Sequence, residues 1–269
     1  MTSDDVLLSE ATDRVDSIEL TAWAHRLSPG MCPPDPCRSG TAAFDVPAKD
    51  HNREAQKMSK VYTGASTSID GYVSGPDFSG FDKLFAWYEA GDVAFTVPTG
   101  AMTVHLTPAS AAYFGGLIQA TGALVVGRKL YDFTNGWGGQ HPMGVHTVVL
   151  THRPLEDNEH FTFVSGGIEE AVAVAQKHAG DKGVGLNSGE IARQAIDAGL
   201  VDEIFLDLVP VILGGGTPFF APGKGYELEG PISVVESSSV THLRYKVRYG
   251  VDAQDGTAAA GLRGGVHES

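Results

Sequence analysis

GVGLNSGEIARQAIDAGLVDEIFLDLVPVILGGGTPFF, residues 183–220, reads first as a short buried strand, then as a helix, then as a strand again. Asn187 stands where a helix cap is needed, and Glu190 three residues on can reach back to the cap's own N–H, a capping-box arrangement. Ile191, Ala192, Ala195 and Ile196 then share one helical face, and Gly199 follows where a left-handed terminal residue suits a helix end. Beyond it Ile204, Leu206 and Leu208 alternate with Phe205, Asp207 and Val209, the period of a strand. Strand, turn, helix and strand make one βαβ unit. The free N–H groups at such a helix start attract phosphate, so this turn is the first place to look for a nucleotide.

Working outward, the same grammar recurs. Residues 123–126 are a short apolar strand running into Gly127-Arg128-Lys129, and residues 147–150 are another, ending in Thr151-His152-Arg153-Pro154. Cations at a helix start oppose the helix dipole, and a bound anion would offset that cost. Three polar turns, each at the C-terminal end of an expected strand, form the pattern of a nucleotide site on an open α/β sheet. Residues 160–164 give a further strand, and residues 167–178 a helix with Ile168, Ala171, Val172 and Ala175 on one face. Gly214-Gly215-Gly216 lacks the Lys-Ser/Thr of a phosphate loop and reads as a sharp bend. Residues 232–240 and 243–249 form a closing antiparallel pair.

Toward the N-terminus, Thr107 and Pro108 mark a helix start. Residues 92–106 read as a long loop or lid. Residues 78–90 are a helix or irregular segment whose Phe81, Leu84, Phe85 and Tyr88 serve as core or wall a pocket for a flat heterocycle. Residues 60–68 open the sheet, and Asp70 reads as a turn residue bonding its own backbone. Residues 1–57, with the turn-rich SPGMCPPDPCRSG, are expected to be a disordered extension, residues 58–250 the folded domain, and residues 251–269 a disordered tail.

A formal charge of −14 argues against nucleic acid or an anionic membrane as partner. No run is long enough to cross a bilayer, and the first residues lack the blocks of a signal peptide, so a cytoplasmic protein is expected. Cys32 and Cys37 have no second ligand pair beside them, so no metal site is expected.

The order VVGRKLYDF, VVLTHRP, FTFVSGGIEEAVAVA, GLVDEIFLDLVPVILGGGTPFF and VTHLRYKV, opened by STSIDGYVSGP, resembles the dihydrofolate reductase superfamily. Its nearest branch is the C-terminal reductase domain of the riboflavin-biosynthesis enzyme RibD and its stand-alone relatives. The resemblance spans roughly residues 60–249. It implies an α/β fold with a mostly parallel central sheet, flanking helices and a C-terminal antiparallel hairpin, an NADPH cofactor and a homodimer. It implies that Gly127, Arg128 and Lys129 approach the cofactor phosphates and that Thr151, His152 and Arg153 lie by the adenosine 2′-phosphate. Gly185 and the turn formed by Asn187, Ser188, Gly189, Glu190 and Ile191 would carry the pyrophosphate. Asp70 would lie by the nicotinamide, and Asp82 would handle a proton.

The family usually has two adjacent glycines where this chain has Asn187 and Ser188. Asparagine tolerates left-handed backbone and a serine hydroxyl can bond phosphate, while side chains at both places could equally crowd the cofactor. Two functions follow. One is an NADPH-dependent reductase acting on a pyrimidine- or pterin-like molecule, 5-amino-6-(5-phosphoribosylamino)uracil being one such substrate. The other is a non-catalytic small-molecule-binding protein on the same fold.

Overall fold

The structure, a computed structural model, describes residues 59–249. The expectations for residues 1–57, including both cysteines, and for the C-terminal tail lie outside the described residues.

The chain begins with β1 (Val61–Ser68) and the short β2 (Tyr72–Ser74), followed by a one-turn helix α1 (Phe81–Leu84) between short 3-10 turns. A hairpin of β3 (Val93–Thr96) and β4 (Thr103–Leu106) leads to α2 (Pro108–Ala120) and β5 (Thr121–Gly127). Next come α3 (Arg128–Phe133), β6 (His146–Leu150), β7 (Phe161–Val164), α4 (Ile168–Ala179) and β8 (Gly183–Leu186). The chain ends with α5 (Glu190–Asp197), β9 (Glu203–Val209), β10 (Thr217–Pro218), β11 (Glu227–Glu236) and β12 (Thr241–Arg248).

Eight strands form one sheet in the order β11-β12-β9-β1-β8-β5-β6-β7. The six from β9 to β7 run parallel, whereas β12 runs antiparallel to β9 and β11 antiparallel to β12. This is the expected sheet with its closing hairpin. Alternation assigns its two faces different work. Ala123 and Val125 of β5, Val184 of β8 and Ile204 of β9 pack under α4 and α5, joining Ala171, Val172, Ala175, Ile191 and Ala195 in the main core. Tyr62, Gly64 and Ser66 of β1, with Phe205 and Asp207 of β9, project to the opposite face, where they border a cavity.

Two local expectations are corrected. Residues 92–106 are not a loop but the β3–β4 hairpin, with Val104 and Leu106 buried against Trp87. Pro98 and Gly100 at its tip interrupt the alternation that would have announced two strands. The hairpin is entered at Gly91, where a Cβ would fall 2.2 Å from the Leu106 carbonyl, so only glycine fits. Asn187 does not cap α5: the cap is Gly189, with φ 74° and no side-chain bond, and Glu190 instead accepts from Gln194 Nε2 at 2.9 Å. A left-handed cap residue turns the preceding side chains away from the helix start, so the capping box cannot close. Thr107, by contrast, caps α2 as expected, accepting from Ser110 N at 3.2 Å.

Candidate functional site

The cavity, about 1060 Å³, lies over β1, β8, β5 and β9 and is walled mostly by apolar and aromatic side chains. That volume reaches the upper end of ordinary ligand sites, about 1,000 Å³, enough for a dinucleotide and a small partner. Its walls come from α1 and the turn after it (Phe81, Phe85, Tyr88) and from α2 (Tyr113, Phe114).

One end of the cavity is formed by the turns after β5 and β8. Gly127, Lys129, Gly185, Asn187, Ser188, Gly189, Glu190 and Ile191 all border it, as does Asp82. Asn187 bridges the two turns: its Oδ1 accepts from Gly127 N at 3.0 Å, and its Nδ2 donates to Ser188 O at 3.1 Å. Neither α3 nor α5 has a side-chain cap. Their first N–H groups are therefore open to an acceptor from outside the chain. Lys129 Nζ stands 4.0 Å above the Phe78 ring.

Asp70, Arg128, Thr151, His152 and Arg153 do not border the cavity. Asp70 accepts from Leu213 N at 3.1 Å and Gly214 N at 2.7 Å, which fixes the glycine bend. The Ser68 hydroxyl, with those two N–H groups, holds its carboxyl well down, at about 2. Arg128 donates to Asp132 Oδ1 at 2.6 Å and to the Arg153 carbonyl at 2.8 Å, so the turns after β5 and β6 are tied together just outside the cavity. Thr151 is buried and its Oγ1 accepts from Arg153 N at 3.1 Å, while the His152 and Arg153 side chains are exposed.

The other end holds groups that sequence reasoning did not single out. Asp207 borders the cavity with its side chain only 14% exposed, and its Oδ1 accepts from Nδ1 of the fully buried His242 at 2.7 Å. His242 Nε2 lies 3.0 Å from Ser110 Oγ, and the Tyr113 ring stacks on the imidazole at 4.0 Å. The Tyr113 hydroxyl is buried against the Asp207 carboxylate, and burial together with that charge keeps it protonated far above the usual phenol range. Trp87 Nε1 donates to Ser66 Oγ at 3.0 Å beside them. The available signal was a charged residue in the middle of an apolar run of β9, with His242 directly opposite Asp207 in the β9–β12 register. At the rim, burial pushes the His141 imidazole down to about 3, so it is neutral, and its Nδ1 accepts from Met143 N at 3.2 Å.

Among the described residues there is no group of three or more His, Cys, Asp or Glu arranged to hold a metal, and no helix is long and apolar enough to cross a membrane. No protein-family model and no curated protein matches the sequence. Solved structures do. A putative riboflavin biosynthesis protein from Shewanella sp. PV-4 is 21% identical, with 71% of this chain and 99% of that one covered at a TM-score of 0.52. Dihydrofolate reductase from Enterococcus faecalis, complexed with NADP(H), is 17% identical, with 71% and 98% covered and a TM-score of 0.43. The deaminase/5-amino-6-(5-phosphoribosylamino)uracil reductase of Thermotoga maritima is 13% identical, with 71% and 57% covered and a TM-score of 0.47. Strand order, closing hairpin and the Shewanella superposition together give this chain the fold of that protein, a mostly parallel sheet closed by an antiparallel hairpin.

Proposed function

We propose that the protein is an NADPH-dependent reductase acting on a flat, pyrimidine- or pterin-like molecule. The observation that carries this reading is one continuous cavity with two chemically different ends, open helix starts at one and aromatic walls around a carboxylate at the other.

The residues present fit the cofactor at the first end. The Gly189 cap leaves the starting N–H groups of α5 without a side-chain acceptor, as a pyrophosphate requires. Lys129 borders the same end, and Arg128 with Arg153 stands beyond it, where guanidinium groups suit a phosphate dianion. When bound, NADPH supplies the hydride. The protein's own part is orientation and exclusion of water. Phe81, Phe85 and Tyr88 offer ring faces to a planar acceptor, and Gly185 and Gly64 let the Leu124 and Phe205 side chains close over the sheet beneath it. Asp82 borders the cavity with an exposed side chain and is the carboxylate assigned to the acceptor's proton.

Calorimetric titration with NADPH and NADH tests the reading. NADPH should bind at least about tenfold more tightly than NADH, and Arg153→Ala should shrink that difference, since a charge-assisted bond to a phosphate is worth about 1.5–3 kcal/mol. Absence of binding by either at millimolar concentration would remove the reductase reading. The Asn187 bridge across Gly127 N would then mark a non-catalytic binding protein on this fold.

A further inference from the structure

The loop between α3 and β6 carries a side chain that neither the cofactor end nor the closing hairpin uses. His141 borders the cavity beyond the last residue of α3. The six residues of that helix, about 9 Å at 1.5 Å per residue, separate this wall from the turn after β5. Pro142 and Met143 beside it, with Val97 and Met102 of the hairpin to which the loop is bonded, also border the cavity and are apolar.

The imidazole is held in one orientation and one protonation state. Trp137 packs with Val126, Val149, Phe161 and Phe163, and its ring meets the imidazole edge-on, 4.6 Å between centres. Trp137 takes φ 51° between Gly136 and Gly138, a left-handed conformation that a bulky residue keeps only where packing insists on it. From the other side Thr99 Oγ1 donates to Pro142 O at 3.1 Å, and Gly144 N to His141 O at 2.8 Å. Met143 N donates to His141 Nδ1 at 3.2 Å. A ring nitrogen that accepts from a backbone N–H carries no proton, so the proton sits on Nε2 and the ring has no charge. Burial favours the same neutral form.

The open atom is therefore Nε2. No described residue bonds it, and unlike Trp137 Nε1 it is not sealed. The hydroxyls of Thr103 and Thr134, which border the cavity with it, are already spent: Thr103 pairs with Thr96 Oγ1 at 2.9 Å, and Thr134 donates to Leu130 O at 2.9 Å. A donor without charge, fixed in place and set among apolar side chains, recognises an acceptor that brings no charge of its own. A carboxylate or phosphate there would give up its hydration for a single neutral bond, and an N–H group would face another N–H. We propose that His141 Nε2–H is a specificity-determining donor of the substrate half, and that it takes a neutral carbonyl oxygen on the edge of a planar substrate. This rests on reading the cavity as a reductase site, and it adds a requirement that the sheet does not impose.

The test uses three naphthalene probes substituted at the same ring carbon: the methyl ketone, the isosteric isopropenyl compound, in which CH2 replaces the carbonyl oxygen, and the carboxylate. Binding is read by calorimetry with and without NADPH, and the imidazole by the NMR signals of its ring nitrogens. The ketone should bind about three- to tenfold more tightly than the alkene, the range of one net hydrogen bond, and the carboxylate least. The free protein should show His141 as the neutral Nε2–H tautomer, and the ketone should shift the Nε2 signal more than the alkene does. His141→Phe and His141→Gln both give up the bond from Met143 N, but only glutamine keeps an N–H donor. The ketone's advantage should vanish in His141→Phe, with alkene binding retained, and survive at least in part in His141→Gln. A ketone that fails to bind, binds no better than the alkene, or keeps its advantage in His141→Phe overturns the proposal. Loss of the advantage in both variants overturns it too, and assigns His141 to holding the loop. Ketone selectivity in a protein that takes up no NADPH would instead defeat the reductase reading while the assignment of His141 stands.

Discussion

Replacing Asn187 by alanine separates what this side chain does for the fold from what it does to the cofactor end. The bond from Gly127 N to Asn187 Oδ1, 3.0 Å long, joins the turns after β5 and β8. An intramolecular hydrogen bond of this type contributes about 0.5–1.5 kcal/mol net. Gly127 is only half-buried, so water reaches part of the freed N–H, and the loss should be about 1 kcal/mol. For a domain of this size that corresponds to a fall in Tm of about 2–4 °C. With NADPH present the sign should change. The freed N–H faces the end of the cavity where the pyrophosphate would lie, and a phosphate oxygen is a stronger acceptor than a neutral amide. Ligand binding adds stability as RT ln(1 + [L]/Kd), so a lower Kd in the variant offsets the intrinsic loss. Thermal unfolding of both proteins, without and with saturating NADPH, should show a deficit that shrinks or vanishes when the cofactor is added. A deficit of the same size in both conditions would refute the idea that Asn187 occupies a donor the cofactor uses. No deficit in either would refute the bridge itself.

Gly189→Ala forces a Cβ onto a residue with φ 74°. It should cost about 1–2 kcal/mol in urea unfolding, and it should weaken NADPH as the start of α5 shifts. Glu203, its side chain 3% exposed, holds Lys60 Nζ at 2.7 Å and Arg244 Nε at 2.7 Å. Glu203→Gln should cost about 3 kcal/mol, the lower end for breaking a buried ion pair, because both cations keep access to water. Burial alone would raise the Glu203 pKa, but the bonds from Lys60 and Arg244 win and hold it below its ordinary value. A carboxylate depressed in the folded state gives stability that is present above its unfolded pKa and lost as pH falls through the folded one. Acid unfolding of Glu203→Gln should therefore be shallower than that of the wild type at pH values below the ordinary glutamate range. His141 gives slope at higher pH. Burial lowers it to about 3 from an unfolded value of 6.5, so between these values the unfolded chain binds the extra proton and stability falls as pH drops. His141→Gln should flatten the urea-stability profile across that window, and an unchanged slope would show that the ring is already open to water.

The strands and long helices were legible because their signals are local. The alternation in β9, the helical spacing of α4 and the Thr107 cap each lie within one short window, and no distant residue is needed to decide them. What failed was set by geometry across the chain. Asn187 carries a cap's chemistry, but Gly189 supplies the left-handed turn, and the nearest open N–H to the Asn187 oxygen belongs to Gly127, sixty positions away. Asp70 offers a site carboxylate in sequence, yet the bend at Gly214 claims both of its oxygens. The cationic turn of residues 151–153 was placed by resemblance against the cofactor, and the structure sets it just outside the cavity, fastened to Arg128.

Asp207 shows why a binding group can stay hidden in a well-read strand. On β9 it occupies the same face as Phe205, and a polar residue within an apolar run has the ordinary explanation of an exposed strand position. Only the partner strand removes that explanation. The antiparallel register brings His242 opposite Asp207, and α2 then covers the imidazole with Ser110 and Tyr113. A carboxylate so enclosed must repay its lost hydration, and one bond to histidine satisfies one oxygen. The carboxylate also lies beside the buried Tyr113 phenol, whose proton its charge keeps in place. The closing hairpin, which in a bare topology only extends the sheet, thus supplies the residue that aims the carboxylate. If that is its role, His242→Phe should leave the sheet intact by circular dichroism while costing about 1–3 kcal/mol in urea unfolding, because Asp207 Oδ1 loses its partner, and adding Asp207→Asn should recover part of that cost. A variant that unfolds would instead assign His242 to the core.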